Sequence, residues 1–154
     1  RPTYDEDGLF TNHNCDFLDD PLFKTSYDLG FETNSSGNWH LRWRVYIACW
    51  LAERASKVDG DFVECGTNKG MLALAIANYT DFRELNKTFY LVDTFSGLVD
   101  NLLTETERQR TDPALEYEEC YNAVRETFCD FSNVVICRGW VPEILPEVAE
   151  VRPS

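Results

Sequence analysis

The chain has 154 residues, of which 44% are hydrophobic and 14% aromatic. That is enough for one domain with a packed core, and it excludes a disordered polymer. Lys and Arg number 14 against 27 Asp and Glu, a formal net charge of −13, which repels phosphate backbones and anionic lipid and so excludes nucleic acid and membrane surfaces as expected partners.

No apolar run reaches the roughly 18 residues a membrane helix needs. Arg1 to Asp7 is polar and acidic, with no apolar signal stretch. Six cysteines occur, none in a C-x-x-C pair, and four lie inside apolar segments. Reduced thiols in a cytoplasmic protein are expected, rather than a disulfide framework or a zinc site. Asn34-Ser35-Ser36, Asn78-Tyr79-Thr80 and Asn86-Lys87-Thr88 match the glycosylation pattern. With no secretion signal they are read as chance matches.

Residues 1–38 show no sustained period. Asp19-Asp20-Pro21, Gly30 and Asn34-Ser35-Ser36-Gly37 are turn and loop signals. Scattered aromatics suggest an irregular N-terminal arm, or lid, that packs onto something. From Trp39 the pattern turns helical. Trp39, Trp43, Tyr46, Ile47, Trp50, Leu51 and Val58 recur at helical spacing, and Asn38 is the expected N-cap.

Phe62–Cys65 then reads as a short strand, Gly66–Lys69 as a turn, and Gly70–Tyr79 as a nearly all-apolar buried helix. Thr88–Val92 is a second strand, followed by a loop over Asp93–Leu103. Thr104 with Glu107 forms a capping box for a short helix. Asp112-Pro113 opens another helix, with Tyr117, Cys120, Tyr121, Val124 and Phe128 along its buried stripe. Asn133–Cys137 is a third strand, and Pro142 and Pro146 bracket a last short helix. Apolar strands alternating with helices imply a parallel sheet covered on both faces. Right-handed crossovers place the strands in the order third, second, first.

Three features point to chemistry. Glu64-Cys65-Gly66-Thr67-Asn68-Lys69-Gly70 lies where the first strand turns into a helix. Gly66 permits a tight turn and close ligand approach, and Gly70 permits close packing of the helix start. Free N–H groups at that helix start favour a carboxylate, and Glu64 can accept from an ammonium. An amino-acid moiety such as that of S-adenosylmethionine presents both groups. A bare strand-to-helix turn is the alternative reading of this motif alone. The spacing is G-x-x-x-G, which departs from the G-x-G-x-x-G of dinucleotide binders.

Asp93 ends the second strand roughly 20 residues beyond the glycine loop, where an acidic residue accepts from ribose hydroxyls. A turn cap is its alternative role. Arg138-Gly139-Trp140 follows the third strand. Gly139 permits a turn there, and Trp140 offers a flat face to an adenine ring or to the core. His13 and His40 lack ligand-like spacing and read as surface or packing residues. Arg108-Gln109-Arg110 reads as a solvated helix end. No nucleophile elbow, P-loop or zinc pattern occurs.

Gly60–Gly70 resembles the first motif of the macrocin O-methyltransferase family, class I S-adenosylmethionine-dependent enzymes that methylate sugar hydroxyls of macrolides. Asp93-Thr94-Phe95-Ser96-Gly97-Leu98 is similar to the second motif, and Gly139-Trp140 with Leu145-Pro146 to the third. The resemblance spans Trp39 to about Pro146. Met71 stands where the family often has glycine, and Val99 where it usually has proline. The resemblance implies a three-layer Rossmann-like methyltransferase fold, truncated after about three strands. The expected organisation is an arm over 1–38 and a partial cofactor-binding domain over 39–154.

It also implies S-adenosylmethionine as cofactor. Glu64, Gly66 and Gly70 would hold the methionine end, Asp93 the ribose, and Gly139 with Trp140 the adenine, with Cys65, Thr67, Thr94 and Phe95 also among the cofactor-binding residues. Magnesium belongs to the complete enzyme of the family, on carboxylates after later strands, so no metal ligand or catalytic base is assigned here. The expected function is methyl transfer to a hydroxyl of a small molecule. The alternatives are a non-catalytic binding or assembly module of the same fold, and a nicotinamide-dependent oxidoreductase. An open edge on the first strand would invite pairing with another chain, so a homodimer through that edge is expected.

Overall fold

The computed structural model describes residues 2–99, 102–110 and 117–150. Its centre is a three-stranded parallel sheet of β3 (Phe62–Cys65), β4 (Phe89–Asp93) and β5 (Val134–Arg138), in the order β3-β4-β5. Glu64 lies opposite Leu91, and Leu91 opposite Ile136. Strand β4 is central, and Phe89, Tyr90, Leu91 and Val92 are all buried. Alternation along the strand sends them to two cores. Phe89 and Leu91 join the larger one, which takes residues from the helices on that side. Tyr90 and Val92 join a smaller one with Ile144 and Val148. Helices thus cover both faces of a parallel sheet, as the alternating pattern predicts. The arrangement is α/β and compatible with a Rossmann-like fold.

The N-terminal 38 residues are far more regular than their sequence suggests. A hairpin pairs β1 (Tyr4–Glu6) with β2 (Leu9–Thr11), and a 3₁₀ turn over Asp16–Asp19 leads into α1 (Pro21–Glu32). Asp20 and Pro21, read as a loop signal, are the start of that helix. The Asp20 carboxylate accepts from the Phe23 N–H at 2.8 Å, and Pro21 occupies the first helical position. Phe23, Tyr27 and Gly30 then face inward. Burying the two rings contributes about 1.5–3 kcal/mol each. The hairpin is fastened to the next helix by the Glu6–Arg42 ion pair, and Tyr4 packs edge-on against Trp43.

That next helix, α2, runs Arg42–Ala55, later than expected, and Asn38 does not cap it. Trp39 lies outside it and is 71% exposed. The buried face is Val45, Cys49 and Ala52, while Ile47, Trp50 and Leu51 are exposed. Small residues win the inward positions because α2 packs on α3 (Met71–Tyr79), whose own Ala73, Ala75 and Ala77 are buried. Close helix approach leaves no room for an indole.

The capping box forms as expected. Thr104 and Glu107 bond reciprocally at the start of α4 (Glu105–Arg110). The Asp112-Pro113 helix start lies outside the described residues. Helix α5 is Tyr121–Thr127, so Tyr117 precedes it and is exposed, whereas Cys120, Val124 and Phe128 are buried. Helix α6 (Leu145–Glu150) covers the smaller core through Val148. All six cysteines are free, but only Cys49 and Cys120 are buried, fewer than the apolar segments suggest. Burial pushes the Cys49 thiol up to about 12, which makes it inert. No helix among the described residues is long and apolar enough to cross a membrane.

Candidate functional site

A cleft of about 750 Å³ opens at the C-terminal ends of the three strands. Ligands of parallel α/β sheets bind in this position, and the size is that of a small-molecule site. Glu64, Cys65, Gly66 and Thr67 line one side, and Asp93, Thr94 and Phe95 a second. Gly139 and Trp140 line a third. Of the residues expected at the site, only Gly70 is missing from its walls.

Gly70 keeps the packing role expected of it but does not border the cleft. It precedes α3 at φ +90°, and a Cβ there would sit 2.7 Å from the Phe128 ring. It is a glycine for backbone handedness and packing. Gly66 also has a left-handed φ, +84°, but nothing lies within 4 Å of its missing Cβ. A ligand can therefore approach the backbone there. Gly139 combines two roles, since a Cβ would meet Ile144 at 2.9 Å while the residue still borders the cleft.

The two loops are tied together by Asp93. Its Oδ2 accepts from the Asn68 N–H at 2.7 Å, and its Oδ1 from the Phe95 N–H at 2.8 Å. The turn-cap role of Asp93 is thus realised. An ionised carboxylate has about four acceptor sites, so it can still take a ligand hydroxyl. Phe95 lines the cleft by its bend, its ring being packed in the core against Tyr121 at 1% exposure. Its φ of +54° is a left-handed conformation rare for a bulky residue. Trp140 is 43% exposed, so its indole remains available on the cleft rather than joining the core.

Glu64 is the electrostatic centre of the site. Its Oε2 is buried without a hydrogen-bond partner. Burial pushes the carboxyl up to about 7, the nearby Thr67 hydroxyl opposes the shift, and the Asp93 charge adds to it. Glu118 also lines the cleft, with Lys69 at 3.8 Å. The lining cation Arg44 is already held by both oxygens of Asp7. The walls therefore carry three acidic side chains and one cation that is already engaged. Such a cleft favours a cationic ligand.

Sequence reasoning missed the contribution of residues 33–37. Ser35 and Ser36 line the cleft. Ser35 accepts from the Lys69 N–H through Oγ at 3.1 Å and from Asn68 Nδ2 through its carbonyl at 3.3 Å. The Asn34-Ser35-Ser36-Gly37 loop signal marked the turn, but only the packing of α1 on α3 brings it here. His40, as expected, has a packing role, stacked on Phe31. Among the described residues no group of three or more His, Cys, Asp or Glu is placed to hold a metal ion. No model of a known protein family matches the chain, and no curated protein matches it significantly.

Proposed function

We infer that this chain is the cofactor-binding part of an S-adenosylmethionine-dependent methyltransferase acting on a small-molecule hydroxyl, of the macrocin O-methyltransferase type. The observation that carries this reading is the buried, unpartnered carboxylate oxygen of Glu64 in an acidic cleft beside Asp93. S-adenosylmethionine presents an ammonium, a sulfonium and a ribose diol on one molecule, and it supplies an electrophilic methyl group when bound. Glu64 would take the ammonium, which relieves an otherwise uncompensated buried group. Asp93, held rigid by two backbone amides, would take the ribose hydroxyls. Trp140 would lie along the adenine, and the apolar Leu98 and Val99 would close that wall. These residues bind and orient; positioning of this kind supplies much of the rate in group transfer.

The test is thermal unfolding with S-adenosylhomocysteine or NAD. Ligand at 100 times its dissociation constant stabilises by about 2.7 kcal/mol. We expect that stabilisation with S-adenosylhomocysteine, none with NAD, and loss of the effect in Asp93→Asn. Stabilisation by NAD would favour an oxidoreductase. No response to either ligand would leave a non-catalytic module as the better reading.

A further inference from the structure

Four amides of the glycine loop are already engaged. Gly66 N–H donates to the Val92 carbonyl at 2.9 Å and Asn68 N–H to Asp93 at 2.7 Å. Lys69 N–H donates to Ser35 Oγ at 3.1 Å and Gly70 N–H to the Thr67 carbonyl at 2.9 Å. The carboxylate of an amino-acid ligand therefore meets these four engaged amides, Arg44 is committed to Asp7 by two bonds of 3.0 Å, and the buried Thr67 hydroxyl lies beside Glu64, whose charged form it favours. Ser36 Oγ is also spent, donating to the Trp39 carbonyl at 3.0 Å. Yet a carboxylate in a cleft walled by Glu64, Asp93 and Glu118 needs a donor, because it is otherwise repelled.

Ser35 supplies one. Its Oγ accepts from Lys69 N–H, and among the described residues its own hydroxyl hydrogen has no acceptor. Accepting a hydrogen bond polarises an O–H and makes it a better donor. Resting on the S-adenosylmethionine reading above, we propose that Ser35 is a ligand-binding residue whose hydroxyl donates to the carboxylate of the ligand's amino-acid end while Glu64 holds the ammonium. The turn over residues 33–37 is then a wall of the site, held there by the two bonds from Asn68 and Lys69. It also confers specificity, since it distinguishes an α-amino acid end from a plain amine.

Calorimetric titration with S-adenosylmethionine and with its decarboxylated form isolates the carboxylate. The second ligand keeps the sulfonium, the ammonium and the nucleoside. A hydrogen bond to a charged group corresponds to about 10- to 100-fold in affinity. Ser35→Ala should weaken S-adenosylmethionine by that factor and leave the decarboxylated ligand unchanged, and Ser35→Thr should restore the difference. The readout is the ratio of the two affinities within one protein, so a partly unfolded fraction cancels. Should the alanine variant fail to fold, Ser35→Cys gives the same comparison with a weak donor of similar shape. Equal weakening of both ligands, or a change in the ratio under threefold, overturns the role of Ser35. Wild-type protein that binds neither ligand overturns the cofactor reading itself, and the two failures are distinct.

Discussion

Glu64 sits at the end of a strand with one carboxylate oxygen sealed from water. That placement has a thermodynamic consequence that does not require a ligand. In the unfolded chain its carboxyl titrates near 4.5, and in the fold near 7. Between these values the native state holds a proton that the unfolded state has lost, so stability falls as pH rises from about 4.5 to about 7 and is flat beyond. We expect the Glu64→Gln variant to lose that slope. Denaturant melts from pH 4.5 to 8 should show wild type losing about 1–3 kcal/mol relative to the variant; parallel curves would mean that the carboxyl is better solvated than its burial implies. Glu64, Gly66 and Asp93 were legible because they fall at strand ends, where a parallel sheet gathers its ligands. Ser35 was not, since it is 33 residues from Asn68 in sequence and no local pattern records the packing that joins them.

Helix α1 is the element that makes this joining possible, and Gly30 sets how close it comes. A Cβ on Gly30 would lie 2.5 Å from the Met71 carbonyl oxygen and 3.2 Å from Ala75 Cβ. Alanine normally stabilises a helix interior over glycine by about 1 kcal/mol. Here the backbone contact overrides that propensity, and we expect Gly30→Ala to destabilise by about 1–3 kcal/mol in urea melts. A neutral or stabilising result would show that α1 can slide on α3 without loss. The three strands were readable as short apolar runs between turn signals, because burial on both faces demands such runs. Helix α1 was obscured because Asp-Pro marks turns and helix starts equally well. The inward face of α2 was misread because size in sequence, which favours Trp50, runs opposite to what a tight helix contact accepts, which is Val45, Cys49 and Ala52.

At the scale of the whole molecule, the strand that carries Glu64 is also an edge that no other strand covers among the described residues. Phe62 donates to Thr88, just before β4, and Gly66 to Val92 within it, so alternation turns the backbone groups of Val63 and Cys65 away from the sheet. The Val63 side chain is 53% exposed as well. An edge with free donors and an apolar side chain is a template for another strand, and two copies could pair across a two-fold axis. Opposing this, each copy carries a net charge of −13. Screening decides between them: charges interact over about 30 Å at 0.01 M salt but only about 3 Å at 1 M. We therefore expect sedimentation to show monomers at low salt and a concentration-dependent dimer at high salt. Val63→Lys, which places a charge on the edge, should keep the protein monomeric throughout. A wild-type monomer at 1 M salt and high concentration would show that four residues of open strand are too few to bind a second copy even with repulsion removed. An equal dimer in Val63→Lys would place the contact elsewhere, with the exposed Ile47, Trp50 and Leu51 of α2 the next surface to mutate.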